Sequence, residues 1–310
     1  MSQMPDRKFM VMIIVLTWNN FKDTAECLQS LQKIDYPNYR VVLIDNGSED
    51  DSINKISLLY PELTIIENKK NLGYAGGNNV GIKYAASERA EYILLLNNDL
   101  IVEESLVSEF IRVSEQYRDA GILGGSNYYY DKRNMIQFSG GIIDWKRGNV
   151  IDSTCHKIDE GQFERVREVD TVAGSCLFIP TKIIKQIGLL DIRYFLNFEE
   201  TDWCQRVKKA GYRIYSCLAA KVWHKVSVSG KNRKAGINIL DYYLVRNKFL
   251  FLIKNSPTPF LFLSLPYHTV KTILQILQSL TQGKIYEAKL LISGLRDGIL
   301  GRYGDRFVRE

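Results

Sequence analysis

Apolar and polar segments alternate over the first hundred residues at the spacing of strand–helix–strand units. Short strands are predicted over residues 10–16, 40–44, 64–67 and 93–96, and polar residues follow each of them. The runs at 10–16 and 93–96 are apolar at every position. Such runs are too short to cross a membrane and carry no polar face, which is typical of strands buried in a parallel sheet. Helices are predicted between them, over about 22–33, 51–59 and 82–86. This alternation predicts an α/β fold with a mostly parallel sheet flanked by helices and right-handed crossovers.

The carboxyl ends of these four strands should lie along one edge of the sheet, at Thr17, Asp45, Asn68 and Asn97. In open α/β sheets, ligands bind at this edge. The fourth strand runs directly into Asn97, Asn98 and Asp99, and a carboxylate in that position suits a hard divalent cation such as Mg²⁺ or Mn²⁺. The alternative is a capping turn, because Asn and Asp also favour helix starts and a helix is predicted over about 103–117.

Beyond residue 117 the pattern predicts shorter elements. We expect another strand edge over 120–125, short strands and loops over a substrate at 127–170, a core segment at 172–180, a helix over 181–187 that ends at Gly188, and a strand over 212–222.

The Gly- and Asn-rich segment 71–81 does not predict a dinucleotide site. Its glycines lack the G-x-G-x-x-G spacing, and the segment follows the third strand rather than the first. A milder interpretation stands, in which small residues admit a ligand close to the backbone and the N–H groups of a helix start favour phosphate.

Three acids, Glu199, Glu200 and Asp202, stand among aromatic residues within the segment 195–206. They suit the start of a helix, where negative charge is favourable. Apolar neighbours also raise the pKa of a carboxyl group, and a general base needs such a shift. His224 follows a predicted strand and is either structural or an imidazole partner for a metal at Asp99.

The charge distribution and the cysteines bear on the cellular compartment of the protein. The formal charge of +6 is carried by the C-terminal part, where residues 225–310 hold 14 Lys and Arg against 5 Asp and Glu. Five scattered cysteines without a C-x-x-C pair suit a reducing cytosol. The first nine residues lack the apolar core of a signal peptide, so we expect a cytoplasmic protein.

The C-terminal segment 236–310 is predicted to be a basic, amphipathic helical extension of the preceding domain, 1–235. Prolines should interrupt it after residue 255, and no run of about 18 apolar residues remains, so a spanning helix is not expected. Val270, Ile273, Leu274 and Leu277 share one helix face. That face either covers the protein's own core or lies on the inner face of the cell membrane, and no nucleic-acid motif accompanies the charge.

Taken together, the chain resembles the family 2 glycosyltransferases of the GT-A fold, and in particular their rhamnosyltransferase-like branch. The resemblance runs from about Met10 to Ser229 and more loosely to the C-terminus. Seven segments in family order carry it: VLTWNN at 15–20, IDNGSED at 44–50, NLGYAGGNNVGI at 71–82, LLLNNDL at 94–100, VAGSC at 172–176, FEETDWCQRVKKAGY at 198–212 and VWH at 222–224.

The resemblance implies a catalytic domain over 1–235, with a nucleotide-binding half (about 1–100) and an acceptor half (101–235), and a role for each matching residue. It assigns the nucleotide to Thr17, Asn19, Asp45, Asn46, Asn71, Gly73, Asn97 and Asn98. It assigns a metal that bridges the diphosphate to Asp99, with His224 as a further ligand and Asn97 at the first position of a D-x-D-like motif. It assigns the catalytic base to Glu200, with Glu199 and Asp202 as flanking acids.

The resemblance also implies the reaction. Family members of this kind invert the anomeric centre in a single displacement, using Mn²⁺ or Mg²⁺, a nucleoside-diphosphate sugar such as dTDP-rhamnose or a UDP-sugar, and a glycan or lipid-linked acceptor in cell-surface polysaccharide synthesis. Two departures bear on this. Asn97 stands where many members have Asp, and Glu200 stands where Asp is commoner, so Glu199 remains a rival base. A sugar-nucleotide or glycan-binding module is the alternative; a nucleotidyltransferase is less favoured because no Gly/Lys-rich triphosphate loop is present.

Overall fold

The first four strands form the parallel half of a large sheet. The computed structural model describes residues 8–225 and 239–305. Strand β1 (Val11–Thr17) lies between β2 (Tyr39–Asp45) and β4 (Tyr92–Asn97), and β3 (Thr64–Glu67) pairs with the outer side of β2. All of these pairs are parallel, so the predicted strand ends do meet at one edge.

The sheet continues beyond β4 through strands that come later in the chain. Strand β11 (Cys176–Pro180) pairs antiparallel with β4, and β6 (Ala120–Tyr129), β12 (Arg213–His224) and β10 (Val166–Val169) follow outward. The strand edge predicted at 120–125 lies within β6, which pairs with β11 on one side and with β12 on the other. Short strands complete the region, namely β5 (Leu100–Val102), β7 (Ile136–Phe138), β8 (Ile142–Asp144) and β9 (Asn149–Ile151).

Helices cover both faces of this sheet, and the alternation along β1 shows why its run is apolar throughout. Val11, Ile13 and Val15 belong to one buried cluster, whereas Met12 and Ile14 belong to another. Successive side chains of a strand point to opposite faces, so a sheet covered on both sides needs apolar residues at every position. The covering helices are α1 (Phe21–Leu31), α2 (Ser52–Leu59), α3 (Gly73–Ser87), α4 (Leu106–Gln116), α5 (Thr181–Ile187) and α6 (Glu199–Lys209).

Helix α3 includes most of the Gly- and Asn-rich segment, which the sequence predicted to be a loop as far as residue 81. The glycines lie where the helix packs closely on the sheet. A Cβ atom on Gly77 would come within 2.5 Å of the Leu16 side chain, and one on Gly81 within 2.5 Å of Ile14. Close approach to β1 therefore outweighs the weak helix propensity of glycine.

Three helices form the C-terminal part: α7 (Ile239–Asn255), α8 (Thr258–Thr281) and α9 (Ile285–Ile299). Pro266 lies inside α8 without ending it. By length and composition alone, α8 is a candidate for crossing a membrane, although its sequence contains no run of 18 apolar residues. The predicted domain boundary at 235/236, the end of the family resemblance at Ser229 and the N-terminal residues 1–7 lie outside the described residues.

Candidate active site

The end of β1 is fixed by a small cluster of hydroxyl and amide groups. Thr17 is almost fully buried, and its Oγ1 lies 2.8 Å from Thr24 Oγ1 on α1. The side-chain amide of Asn98 donates to both hydroxyls, at 3.1 and 2.8 Å. Thr17 and Asn98, both predicted to contact a nucleotide, therefore hold the β1 and β4 ends together through side-chain hydrogen bonds.

Asn19 and Asp45 join the loops that follow β1 and β2. The Asn19 carbonyl oxygen Oδ1 accepts from the Glu49 backbone N–H at 2.9 Å, while the Asn19 backbone N–H donates to Ser48 Oγ at 2.7 Å. Both carboxylate oxygens of Asp45 accept from the Ser48 backbone N–H. These bonds organise two adjacent loops at the ligand-binding edge of the sheet.

Asn46 anchors the loop that leads into α3. Its Nδ2 donates to Asn71 Oδ1 at 2.9 Å and to the Gly73 carbonyl at 3.1 Å, and its Oδ1 accepts from the Leu72 backbone N–H. Gly73 has a φ of +72°, and a Cβ there would lie 2.4 Å from the Phe195 carbonyl oxygen. The structure thus joins three of the predicted nucleotide residues, Asn46, Asn71 and Gly73, and packs them on the loop that precedes α6.

Asp99 and His224 meet although the chain separates them by more than a hundred residues. The turn after β4 carries Asp99 into β5, and β5 pairs with the end of β12, where His224 lies. Asp99 Oδ2 is 3.3 Å from His224 Nε2. His224 Nδ1 lies 2.8 Å from Gln137 Oε1. An amide oxygen can only accept, so Nδ1 donates to Gln137 and Nε2 is the ring nitrogen that faces Asp99.

Asp99 and His224 offer two ligands to a divalent cation but do not complete its coordination. A carboxylate oxygen and an imidazole nitrogen with its tautomer fixed are suitable ligands for Mn²⁺ or Mg²⁺. Within 8–225 and 239–305, no group of three or more His, Cys, Asp and Glu side chains could hold a metal ion. The remaining ligands would come from elsewhere, and phosphate oxygens of a substrate are the usual source for such ions.

A short turn between β10 and β11 connects this pair to the acidic residues of α6. The Asn97 backbone N–H donates to the Ser175 carbonyl at 3.0 Å. At the neighbouring Gly174, an added Cβ would lie 3.5 Å from the Glu200 Cβ. The Tyr74 hydroxyl donates to the Gly174 carbonyl. Segment 174–175 therefore contacts both the end of β4 and the start of α6.

Glu199 and Glu200 open α6 in different surroundings. Glu199 is 3% exposed, and its Oε2 has no hydrogen-bond partner among the described residues. Burial, and then the charge of Glu200, raise the pKa of Glu199 well above its ordinary value. Glu200 is half-buried, Thr201 Oγ1 donates to its Oε1 at 3.0 Å, and burial raises the pKa of its carboxyl group. Of the two, Glu200 is the one open to an incoming hydroxyl.

Asp202 has a different environment from the other two acids. Its carboxylate is completely buried and accepts from Arg206 Nε at 2.9 Å, Lys254 Nζ at 2.9 Å and Asn255 Nδ2 at 2.9 Å. The Tyr194 hydroxyl lies 3.2 Å away and donates to the same group. These bonds make Asp202 a structural link between α6 and α7, not a flanking acid with a free carboxylate.

Sequence reasoning missed the residues of α7 that hold the loop before α6. Three residues of this loop, Phe195, Asn197 and Phe198, have positive φ angles, which non-glycine residues rarely adopt. Asn247 Nδ2 donates to the carbonyls of Tyr194, Leu196 and Asn197 at 2.7–2.9 Å, and Arg246 donates to the Tyr194 carbonyl. Both side chains are completely buried. An Arg-Asn pair inside an apolar helix was the only available signal.

Comparison with known proteins identifies a family and a fold. A model described as "Glycosyl transferase family 2" matches residues 12–184. The dTDP-rhamnosyl transferase RfbF of Shigella flexneri is 26% identical over 301 residues, which cover 94% of this chain and 96% of that protein. The low-salt glycan biosynthesis hexosyltransferase Agl10 of Haloferax volcanii is 25% identical over 217 residues, so the match covers 67% of this chain and about two thirds (66%) of the relative.

Among solved structures, the mannosyltransferase PcManGT from Pyrobaculum calidifontis, in complex with GDP-Man and Mn²⁺, superposes with a TM-score of 0.59. The match covers 96% of this chain and 89% of the other, at 14% identity. This likeness confirms the predicted GT-A fold, with helices following the sheet at the C-terminus.

Proposed function

The chain belongs to glycosyl transferase family 2, and on that premise we propose that it moves a sugar from a nucleoside-diphosphate donor to a hydroxyl of a glycan or lipid-linked acceptor, with inversion at the anomeric carbon. Rhamnose carried by dTDP is the donor we propose first, because the rhamnosyl transferase RfbF aligns over nearly the whole of both chains. We place the reaction in the synthesis of a cell-surface polysaccharide, on the cytoplasmic side of the membrane. All five cysteines are free, which suits that compartment.

The observation that supports this proposal best is the pair formed by Asp99 and His224, with Gln137 behind the imidazole. Asp99 and His224 would hold Mn²⁺ or Mg²⁺ together with the donor diphosphate. When bound, the cation would spread the negative charge that develops on the leaving diphosphate. Asn97, half-buried at the end of β4, is available to bond the donor in place of the acid that many family members carry.

Glu200 is our proposed base. An acceptor hydroxyl is a poor nucleophile until a positioned carboxylate takes its proton during bond formation. The raised pKa of Glu200, caused first by burial, strengthens it as a base. The transferred proton would end on the Glu200 carboxylate. Glu199 is nearly inaccessible, so we assign it the support of Glu200 and not contact with the acceptor.

The loops after β1, β2 and β3 are proposed to hold the nucleotide. Asp45 and Asn46 are buried and fix these loops, whereas Asn19 and Asn71 are partly exposed at the surface of the loops. Thr17 and Asn98 would contribute by maintaining the shape of the site, since their side chains already form hydrogen bonds with each other and with Thr24.

The test is a transfer assay with the purified full-length chain and a panel of dTDP-, UDP- and GDP-sugars, with Mn²⁺ present or chelated. We expect release of the nucleoside diphosphate with one donor only, dependent on the metal. Glu200→Gln should lower kcat by about a hundredfold or more, the usual contribution of a general base, with KM for the donor little changed. Glu199→Gln is the matched control and should retain most of the turnover.

Two results would contradict the proposal. Unchanged kcat in Glu200→Gln would remove this residue as the base, and loss of activity only in Glu199→Gln would transfer the role to its neighbour. Equal binding of nucleoside diphosphates with and without Mn²⁺ would count against Asp99 and His224 as metal ligands.

A further inference from the structure

Helix α8 exposes its apolar side to solvent and buries several polar residues against the protein. The residues that it buries against the protein include Ser264, His268, Thr272 and Ser279. The residues that it exposes include Phe262 at 74%, Leu274 at 60% and Leu277 at 53%. A surface helix normally buries its apolar stripe and exposes its polar one. The apolar face predicted from Val270, Ile273, Leu274 and Leu277 therefore exists but does not cover the protein's own core.

The exposed apolar face extends along the whole of α8, from Phe262 to Leu280, and α9 has a row of exposed apolar residues of its own, Ile285, Ile292 and Ile299. Scattered exposed apolar residues are normal on a protein surface, but a continuous patch marks a site of interaction.

The charges on these two helices are mostly positive. Helix α8 contains no acid, and its one charged residue is the exposed Lys271. Exposed cations of α9 and its start are Lys284, Lys289 and Arg296. Lys284 lies 3.9 Å from Glu287 and Arg296 lies 3.1 Å from the almost completely buried Asp297, whereas Lys271 and Lys289 belong to neither pair. An apolar face with a positive border is complementary to an anionic lipid surface.

We propose that the outer face of α8 and α9 docks the enzyme on an anionic lipid bilayer, with α8 lying in the interface. The inner side of α8 stays with the protein: His268 Nε2 donates to the Val245 carbonyl at 3.1 Å, and its ring packs on Phe249. A helix that keeps one polar side bonded to its neighbours lies in the surface of a bilayer, since spanning would expose that side to lipid.

A second copy of this chain is the competing occupant, and two features disfavour it. The exposed arc includes Phe262, Ile273 and Leu280 beside the stripe of Leu263, Val270 and Leu277, which makes it wider than the two positions per heptad of a coiled-coil seam. A two-fold contact through the same face would also bring Lys271 and Lys289 toward their own copies without acids to neutralise them.

The test is flotation of the full-length chain with vesicles of phosphatidylcholine alone, or of phosphatidylcholine and phosphatidylglycerol in equal amounts. We expect binding to the anionic vesicles and little to the neutral ones. The double variant Phe262→Ser, Leu274→Ser should lower the partition coefficient about a hundredfold, from the apolar area withdrawn from lipid. Lys271→Gln with Lys289→Gln should weaken binding only to the anionic vesicles.

The matched control is Leu58→Ser, Leu59→Ser on α2, where both leucines are exposed, at 83% and 55%, on another part of the surface. This variant should float as the wild type does, and circular dichroism should show all variants folded. The proposal is overturned if the wild type fails to float with either vesicle, or if the α2 control loses binding equally. It is also overturned if sedimentation shows a stable dimer that the α8 variant converts to a monomer, since a second copy then occupies the face.

Discussion

The side-chain amide of Gln137 fixes which ring nitrogen of His224 faces Asp99. Its Oε1 lies 2.8 Å from Nδ1 of the imidazole and can only accept. Without this acceptor, the imidazole could rotate and turn Nε2 away from Asp99. Residues behind a metal ligand are often as influential as the ligand itself.

We predict that Gln137→Ala lowers the affinity for Mn²⁺, measured in the presence of a nucleoside diphosphate, by about 10–100-fold. Gln137→Glu keeps an acceptor oxygen at the same distance from the backbone and should restore most of the affinity. Calorimetric titration with Mn²⁺ measures both. Equal affinities of the alanine variant and the wild type would show that Gln137 does not orient the imidazole.

The buried carboxyl group of Glu199 makes stability depend on pH. Burial and the charge of Glu200 raise its pKa in the folded chain, so between the ordinary pKa of a Glu and this raised value the folded state binds more protons than the unfolded state. The free energy of unfolding must then fall as the pH rises through this window.

We predict that Glu199→Gln, which cannot ionise, is more stable than the wild type at pH 8, and that the difference disappears as the pH falls below about 4.3, the ordinary value for Glu. Urea unfolding at a series of pH values measures this. Glu62→Gln, at an exposed acid, is the control and should follow the wild type. A wild type that gains stability relative to Glu199→Gln as the pH rises would reverse the sign and refute the argument.

At the scale of elements, the start of α3 and the loop before α6 depend on each other. Gly73 has a positive φ and lies directly against Phe195, whose carbonyl accepts from the Tyr74 backbone N–H at 2.7 Å. The left-handed backbone and the close contact both require glycine. Two loops of the site therefore share a contact that leaves no room for a Cβ. One is the loop proposed to hold the nucleotide, and the other leads to the proposed base.

We predict that Gly73→Ala lowers the free energy of unfolding by about 2–4 kcal/mol, the sum of backbone strain and overpacking. Gly283→Ala separates the two effects, since Gly283 has nearly the same φ of +70° but no atom within 4 Å of an added Cβ. It should cost only about 1 kcal/mol. Urea unfolding of both variants is the measurement, and equal losses would show that contact with Phe195 contributes nothing.

Elements with one strong periodicity could be predicted from the sequence to within a few residues. The run at 10–16 became Val11–Thr17, and the helix predicted over 181–187 was found at Thr181–Ile187 with Gly188 after it. Helix α3 was shortened in the prediction, because glycine is a poor helix former and its reason for being there is the sheet below it. Strand β5 was missed because three residues are too few to show a period.

At the scale of the whole molecule, the fold class followed from the alternation of elements, whereas the site required the resemblance. The meeting of Asp99 with His224 could be predicted only in that way, since no local pattern connects β4 to β12. The roles of Asp202, Arg246 and Asn247 could not be predicted at all. A buried carboxylate that bonds Lys254 and a catalytic one look the same in a sequence, and only the packing of α7 on α6 separates them.

The order in which the chain is synthesised gives the bonds of Asn247 a further consequence. The loop at 194–198 is synthesised some fifty residues before Asn247, and its left-handed residues stay unsupported until Asn247 and Arg246 follow. A nascent chain should therefore be unable to turn over donor until α7 has emerged. Translation itself would then time the first turnover, so that it comes when the exposed apolar face of α8 is also about to be complete.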